Sequence, residues 1–226
     1  MAIVVTGASR GIGRATALEL ASRGHALSLV GRPSSALDRA AVDARSRGVA
    51  VNVVPCDLCD PDAIGGAARR IESESGVPEA IVHNAGIVHR QSIEETTDAS
   101  WDEQLAVNLR APFQLTRALL PSMKAVNAGR LVYVGSISST LGSKNAAAYC
   151  ASKWGLVGFM KSVAEDLSET GLMAMAILPG SVDTEMLEGS GFSARMSAED
   201  VAKTIAYFAV LAPRSHNGGV VEMFGT

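Results

Sequence analysis

Tyr149 and Lys153 stand four residues apart in the segment Tyr-Cys-Ala-Ser-Lys. Residues at this spacing share one face of a helix, so we expect both side chains to point the same way from the exposed start of a helix. A phenol with a pKa near 10 is a poor acid or base at neutral pH, but an ammonium within about 5 Å favours the phenolate and lowers that pKa. The pair therefore indicates a proton donor and acceptor; an ordinary surface pair is the alternative.

A third polar side chain, Ser136, follows the apolar run Leu131–Val134 and Gly135, upstream of the tyrosine. If that run is a strand of a parallel sheet, Ser136 lies at its carboxyl end, where ligands gather. A hydroxyl there can donate a hydrogen bond to a substrate carbonyl and to the negative charge that grows on it.

The stretch Thr6–Gly13, Thr-Gly-Ala-Ser-Arg-Gly-Ile-Gly, follows the short apolar run Ile3–Val5. A glycine-rich turn from a strand into a helix directs backbone N–H groups and a helix N-terminus at an anion, and a Cβ there would block a pyrophosphate. The spacing is not the G-x-G-x-x-G of most dinucleotide folds, so a bare structural turn is the alternative.

The second strand ends in Gly31-Arg32 with no acid nearby. An acid at this point binds the ribose 2′-hydroxyl of NAD, whereas an arginine accommodates a 2′-phosphate. Arg32, with Arg10 from the glycine loop as a second cation, favours NADP(H) over NAD(H). The alternative is that Arg32 is an ordinary solvated loop residue.

Short β-branched runs alternate with longer helical stretches along the whole chain. The predicted strands are Ile3–Val5, Ala26–Val30, Val49–Val54, Ala80–His83, Arg130–Val134, Met173–Leu178 and Gly219–Met223. The predicted helices are Gly11–Ser22, Ser35–Arg47, Pro61–Ser75, Trp101–Val126, Ala148–Thr170 and Ala198–Leu211. This alternation predicts an α/β fold, a Rossmann-type doubly wound parallel seven-stranded sheet with helices on both faces, in one domain over residues 1–226.

Composition narrows the class of partner. The formal net charge is −3 and 47% of the residues are apolar, which favours a large core and gives no electrostatic reason to expect nucleic acid or an anionic membrane. Neither a membrane span nor a secretory signal is predicted. Three cysteines suit a reducing, cytoplasmic environment, and Cys56 and Cys59, without a second pair, predict no metal site.

With these motifs in order, the chain resembles the short-chain dehydrogenase/reductase family from residue 2 to about 186. The matching residues are Thr6, Gly7, Gly11, Gly13, Asp57, Asn84-Ala85-Gly86, Asn108, Ser136, Tyr149, Lys153, Pro179-Gly180 and Thr184. The resemblance implies hydride transfer from NADPH to a ketone or aldehyde carbon.

The resemblance also implies the residue roles. Tyr149 is the general acid/base, Lys153 holds the nicotinamide ribose and lowers the pKa of the phenol, Ser136 orients the carbonyl, and Asn108 anchors a water relay to Lys153. Asp57 reaches the adenine, Asn84 stabilises the central sheet, and Val182 and Thr184 fix the carboxamide side of the nicotinamide. The expected cofactor-binding residues are Thr6, Gly7, Ser9, Arg10, Gly11, Ile12, Gly13, Arg32, Asp57, Leu58, Asn84, Ala85, Gly86, Pro179, Gly180, Val182 and Thr184.

Within the family, the chain is most similar to the 3-oxoacyl-carrier-protein reductases. This implies a 3-oxoacyl thioester or related ketone as substrate and leaves an acyl carrier protein open as partner. Arg130 matches a docking arginine of those enzymes, but Thr170 stands where a second is expected. A general carbonyl or alcohol dehydrogenase and a non-catalytic NADP(H)-sensing protein are the alternatives.

Residues 185–196 correspond to the family's substrate lid and are short and rich in Gly and Ser. A short lid fits a bulky or carrier-tethered substrate, a broad carbonyl reductase, or a lid completed by a neighbouring subunit. Surplus apolar residues on the helices from Trp101 and Ala148 predict a homodimer or homotetramer, with a deeper core as the alternative. His83 is interpreted as a packing residue, and His25, His89 and His216 as surface residues without partners.

Overall fold

One parallel sheet runs through residues 1–225, which the computed structural model describes. Its seven strands stand in the order β3-β2-β1-β4-β5-β6-β7, and every neighbouring pair is parallel. The strands are β1 (Ile3–Thr6), β2 (Leu27–Gly31), β3 (Val51–Pro55), β4 (Ala80–His83), β5 (Gly129–Val134), β6 (Leu172–Pro179) and β7 (Val220–Met223). Strand order reverses between β1 and β4, so a crevice opens beside these two strands at their carboxyl ends.

Helices cover both faces of the sheet, as the alternation predicted. They are α1 (Gly11–Ser22), α2 (Ser35–Arg45), α3 (Pro61–Ser75), α4 (Asp98–Leu105), α5 (Ala111–Val126), α6 (Ala147–Asp166) and α7 (Ala198–Val210). One buried apolar cluster lies under α1, α2 and α7, and the other lies under α3, α5 and α6. No helix in this part of the chain is both long and apolar enough to cross a membrane.

The predicted span Trp101–Val126 is helical throughout, but the helix begins earlier and is not a regular α-helix along its whole length. Helix α4 begins at Asp98 behind the Thr97 cap, and a π turn over Ala106–Arg110 separates it from α5. In that turn the Ala111 N–H donates to the Ala106 carbonyl, five residues back. The apolar spacing continues through the turn, so periodicity alone does not reveal the extra residue.

The remaining boundaries agree with the predictions to within a few residues. The largest difference is at α6, which ends at Asp166 rather than at Thr170 and continues as turns. Behind the lid, Ser197 caps the start of α7, since the Asp200 N–H donates to the Ser197 hydroxyl at 3.1 Å and that hydroxyl donates to the Asp200 carboxylate at 2.7 Å.

Candidate active site

Thr6 and Asn84 join the ends of β1 and β4 on either side of the crevice. The Thr6 hydroxyl accepts from the N–H groups of Asn84 and Ala85, both at 3.0 Å, and the Asn84 amide donates to the Thr6 carbonyl at 3.0 Å. These bonds hold the two central strand ends at one level, which is the sheet-stabilising part expected of Asn84.

The glycine loop is shaped by close approach and by backbone conformation. Gly7 and Gly11 have φ values of +66° and +53°, which favour glycine. A Cβ on Gly13 would lie 2.2 Å from the Gly7 carbonyl oxygen, so no other residue fits there. Helix α1 begins at Gly11, and its N-cap residue, Arg10, makes no side-chain capping bond, which leaves the first-turn N–H groups aimed at the crevice.

The segment after β6 closes over this loop. Pro179 ends the strand, and the Gly180 N–H donates to the Met223 carbonyl at 2.8 Å. Val182 is buried, and Thr184 lies so close to the loop that a Cβ on Gly11 would be 3.3 Å from its methyl carbon. Thr184, expected on the carboxamide side of the nicotinamide, therefore lies against the glycine loop expected to hold the pyrophosphate.

Ser136 lies one residue beyond the end of β5, with its hydroxyl fixed by a local cap. Its oxygen accepts from the Ser138 N–H at 3.1 Å, and its own N–H donates to the Ser139 hydroxyl at 3.3 Å. Since the oxygen serves only as an acceptor in the cap, the cap leaves the hydroxyl proton of Ser136 free to be donated to the Tyr149 phenol or to a carbonyl above the strand end.

Tyr149 stands in the first turn of α6 and faces Ser136. Burial raises the pKa of this phenol, and the Ser136 hydroxyl and the charge of Arg90 oppose that rise. Part of the side chain is still exposed to solvent. A phenol that keeps its proton at neutral pH is suited to donate it to a forming alkoxide.

Lys153 is 3% exposed, so the expectation of an exposed pair is wrong for the lysine. Its ammonium donates to the Val134 carbonyl at 2.9 Å and lies 5.8 Å from the centre of the Tyr149 ring. Burial lowers the pKa of Lys153 to about 8. Gly86 gives the ammonium room, because a Cβ there would be 3.3 Å from Nζ.

Asn108 is fully buried in the π turn, and both polar atoms of its side chain are hydrogen-bonded to protein groups. Its Oδ1 accepts from the Ile87 N–H at 2.8 Å, and its Nδ2 donates to the Ile87 carbonyl and to the Ser152 hydroxyl, both at 2.9 Å. The side chain therefore fastens the chain after β4 to α6 beside Lys153.

The family model described as short chain dehydrogenase matches residues 1–192. The chain belongs to the short-chain dehydrogenase family. It is therefore an oxidoreductase, and the family implies a nicotinamide cofactor.

Two curated relatives and one solved structure place the chain within the family. The 3-oxoacyl-[acyl-carrier-protein] reductase MabA of Mycobacterium avium is 35% identical over 184 residues, which cover 81% of this chain and 68% of that protein. The reductase FabG of Escherichia coli K12 is 32% identical over 222 residues, covering 91% and 88%. The crystal structure of levodione reductase superposes with a TM-score of 0.93 at 26% identity, over 99% of this chain and 96% of that one.

The residues present fit a nicotinamide dinucleotide. The glycine loop is a cradle that a Cβ at Gly13 would fill, with Ser9 and Ile12 half-buried in it. On the side where the adenine is expected, Asp57 is exposed, Leu58 is buried, and one Asp57 oxygen accepts from the Cys59 N–H at 2.9 Å. The Cys56 N–H donates to the Gly31 carbonyl at 2.9 Å, so exposed Arg32, the next residue, lies at the same corner.

Two arginines in the site hold the start of the lid, and these contacts were not predicted from the sequence. The Arg10 guanidinium pairs with the Glu185 carboxylate, and the Arg90 guanidinium donates to the Met186 carbonyl at 3.2 Å. These partners are 175 and 96 residues apart in the chain, so no local pattern signals them.

The prediction for the four histidines is confirmed for His83 and wrong about the partners of the other three. His83 is buried as expected, stacked on Tyr133, with Nε2 2.9 Å from the Thr116 hydroxyl. The other three do have partners: His25 contacts Glu79 at 3.3 Å, His89 contacts Glu103 at 2.9 Å, and His216 packs on Phe208.

Proposed function

We propose that the protein reduces a ketone carbonyl to a secondary alcohol with NADPH as the reductant. The observation that carries the proposal is the meeting of Ser136, Tyr149, Lys153 and Asn108 at the same carboxyl edge as the glycine cradle. Proton donor, oxyanion donor and phosphate cradle thereby share one crevice, which is what a carbonyl reduction requires.

The nicotinamide cofactor, when bound, supplies the hydride to the carbonyl carbon. Ser136 donates its hydroxyl proton to the carbonyl oxygen in a hydrogen bond and orients the substrate. Tyr149 transfers its proton to the same oxygen as negative charge grows there. Lys153, with a pKa of about 8, is mostly protonated at neutral pH, so its ammonium stabilises the phenolate that remains.

We extend the proposal to NADP(H) because the end of β2 offers a cation and no acid. Gly31 ends the strand, and exposed Arg32 follows beside the corner that holds Asp57. Arg10 is the second cation proposed for the 2′-phosphate, and its present partner is a single exposed carboxylate.

For the substrate we propose a 3-oxoacyl thioester or a related ketone, as the names of the curated relatives suggest. Docking of a carrier protein on Arg130 finds no support, since its guanidinium donates to the Ala212 carbonyl at 2.8 Å and it stands at the amino end of β5, away from the site. The thioester itself needs no such docking. A second candidate, reduction of small ketones or diketones, is favoured by the likeness to levodione reductase.

We also propose assembly as a homodimer or homotetramer. Phe113 on α5 and Trp154 on α6 remain 39% and 53% exposed, whereas Leu115, Leu156 and Met160 fill the core. The surplus apolar residues thus divide between the core and an open face, and the open face is suited to a second copy.

The test is NADPH and NADH oxidation, followed by absorbance, with acetoacetyl thioester beside simple ketones and diketones. We expect thioester reduction with NADPH at a kcat/KM at least about tenfold above that with NADH. A ratio of this size corresponds to the loss of one charged contact with the 2′-phosphate. Turnover of small ketones alone would move the substrate to the second candidate. Equal use of NADH would remove the role proposed for Arg32.

A further inference from the structure

The chain after β4 forms a strap over residues 87–91 that is pinned at every second residue. The Ile87 N–H donates to Asn108 at 2.8 Å, the His89 N–H donates to Gln104 at 3.1 Å, and the Gln91 N–H donates to the Asn145 carbonyl at 2.9 Å. The backbone of the strap is therefore fixed on both sides of Arg90.

Arg90 is half-buried within this strap, and its guanidinium reaches the lid at the Met186 carbonyl. The strap also runs beside α6, because Gln91 pairs with Asn145 and Ala146 just before the first turn of that helix. Tyr149 stands in this turn, and the positive charge of Arg90 lowers the pKa of its phenol against the effect of burial.

We propose that Arg90 is a positioning residue for proton transfer, which stabilises negative charge on the Tyr149 oxygen while the lid is held against the strap. The inference rests on the proposed role of Tyr149 as the proton donor and acceptor. It assigns to a residue outside the family's matching motifs a part in the chemical step.

The charges around Arg90 leave its own charge available. The nearby acids are engaged elsewhere, since Glu103 contacts His89 at 2.9 Å and Glu185 pairs with Arg10. No carboxylate of residues 1–225 forms an ion pair with Arg90. The other groups that face the Tyr149 phenol are Ser136, the thiol of Cys150 and the ammonium of Lys153.

The experiment compares Arg90→Gln and Arg90→Lys with the unaltered protein, and follows oxidation of a secondary alcohol by NADP⁺ across pH. In this direction the phenol must lose its proton, so the rate rises with pH through an apparent pKa that belongs to the Tyr149–Lys153 pair. Removal of the cation should move this rise to higher pH. We expect kcat/KM at pH 7 to fall about three- to tenfold in Arg90→Gln, with recovery at high pH and with most of the loss absent in Arg90→Lys.

Arg195→Gln is the matched control, because Arg195 is an exposed arginine of the same lid, and its profile should match that of the unaltered protein. NADPH affinity, read by fluorescence, should be unchanged in all variants. If Arg90→Gln melts at a lowered temperature, Arg90→Met provides a second uncharged side chain for the same comparison.

A loss of equal size at every pH would overturn the inference, since it would mean that Arg90 only holds the lid. So would a profile that superimposes on that of the unaltered protein. Failure of the proposed function gives a different result: a Tyr149→Phe variant that still turns over would remove the proton donor itself, whatever Arg90 does.

Discussion

At the scale of single residues, the proposed proton transfer depends most on the buried charge of Lys153. It is 3% exposed, has one carbonyl partner at 2.9 Å, and stands beside the tyrosine to which the proton transfer is assigned. Burying an ammonium with a single neutral partner is costly, so a site that keeps one accepts a loss of stability for its function.

This cost predicts a pH dependence of stability. Burial lowers the pKa of Lys153 to about 8 from its ordinary value of 10.5. Between these values the unfolded chain holds a proton that the folded chain has lost, so the free energy of unfolding rises with pH. In urea unfolding from pH 8 to 9.5, we expect the unaltered protein to gain about 1.5 kcal/mol relative to Lys153→Met.

Lys161→Met is the control, since Lys161 is an exposed lysine of the same helix. Burial raises the pKa of the Cys56 thiol to about 11, which has the opposite effect on stability at alkaline pH. That effect is common to all three proteins and cancels in the comparison. A difference between the unaltered protein and Lys153→Met that stays constant with pH would contradict the burial of this charge.

Among the elements, the short turn Glu185–Leu187 connects the two halves of the crevice. Arg10 of the glycine loop pairs with the Glu185 carboxylate, and Arg90 of the strap donates to the Met186 carbonyl. Both side chains of the Arg10–Glu185 pair are largely exposed, at 68% and 64%, and such pairs contribute little to stability. A phosphate can therefore replace the carboxylate readily.

Replacing Glu185 by Gln should tighten the binding of NADPH. The carboxylate competes with the 2′-phosphate for Arg10, so its removal should increase NADPH affinity by about two- to fivefold and leave NADH affinity unchanged. Fluorescence titration with each cofactor measures this, with Glu188→Gln, an exposed lid acid, as control. Equal tightening for both cofactors would show that Arg10 does not read the 2′-phosphate.

How well the sequence predicted a feature depended on how far apart in the chain the interacting residues lie. The strands and most helices could be predicted because apolar periodicity and glycine positions are local features of the sequence. The polar residues at the ends of β1 and β4 could be predicted because each motif is contiguous in the chain. The π turn at Ala106–Arg110 was missed because it does not interrupt that periodicity. The contacts of Arg10 and Arg90 were missed because they join distant segments, and the burial of Lys153 depends on β5 and Gly86 packing around it.

At the scale of the whole molecule, the site depends on the reversal of strand order. β1 has β2 on one side and β4 on the other, so the glycine loop and the chain after β4 diverge from one point and leave a crevice between them. The two buried clusters support this edge from opposite faces of the sheet. Within the lid, Met196 packs against the first cluster, whereas residues 185–195 belong to neither cluster.

The measurement that tests the central claim most directly is the turnover of Tyr149→Phe beside its affinity for NADPH. Phenylalanine keeps the ring and removes only the hydroxyl, so packing and the glycine cradle should persist. We expect ketone reduction to fall by roughly 10²- to 10⁴-fold, while NADPH binds within about twofold of the unaltered protein. Turnover within about tenfold of the unaltered protein, with NADPH still bound, would contradict the assignment of Tyr149 as the proton donor.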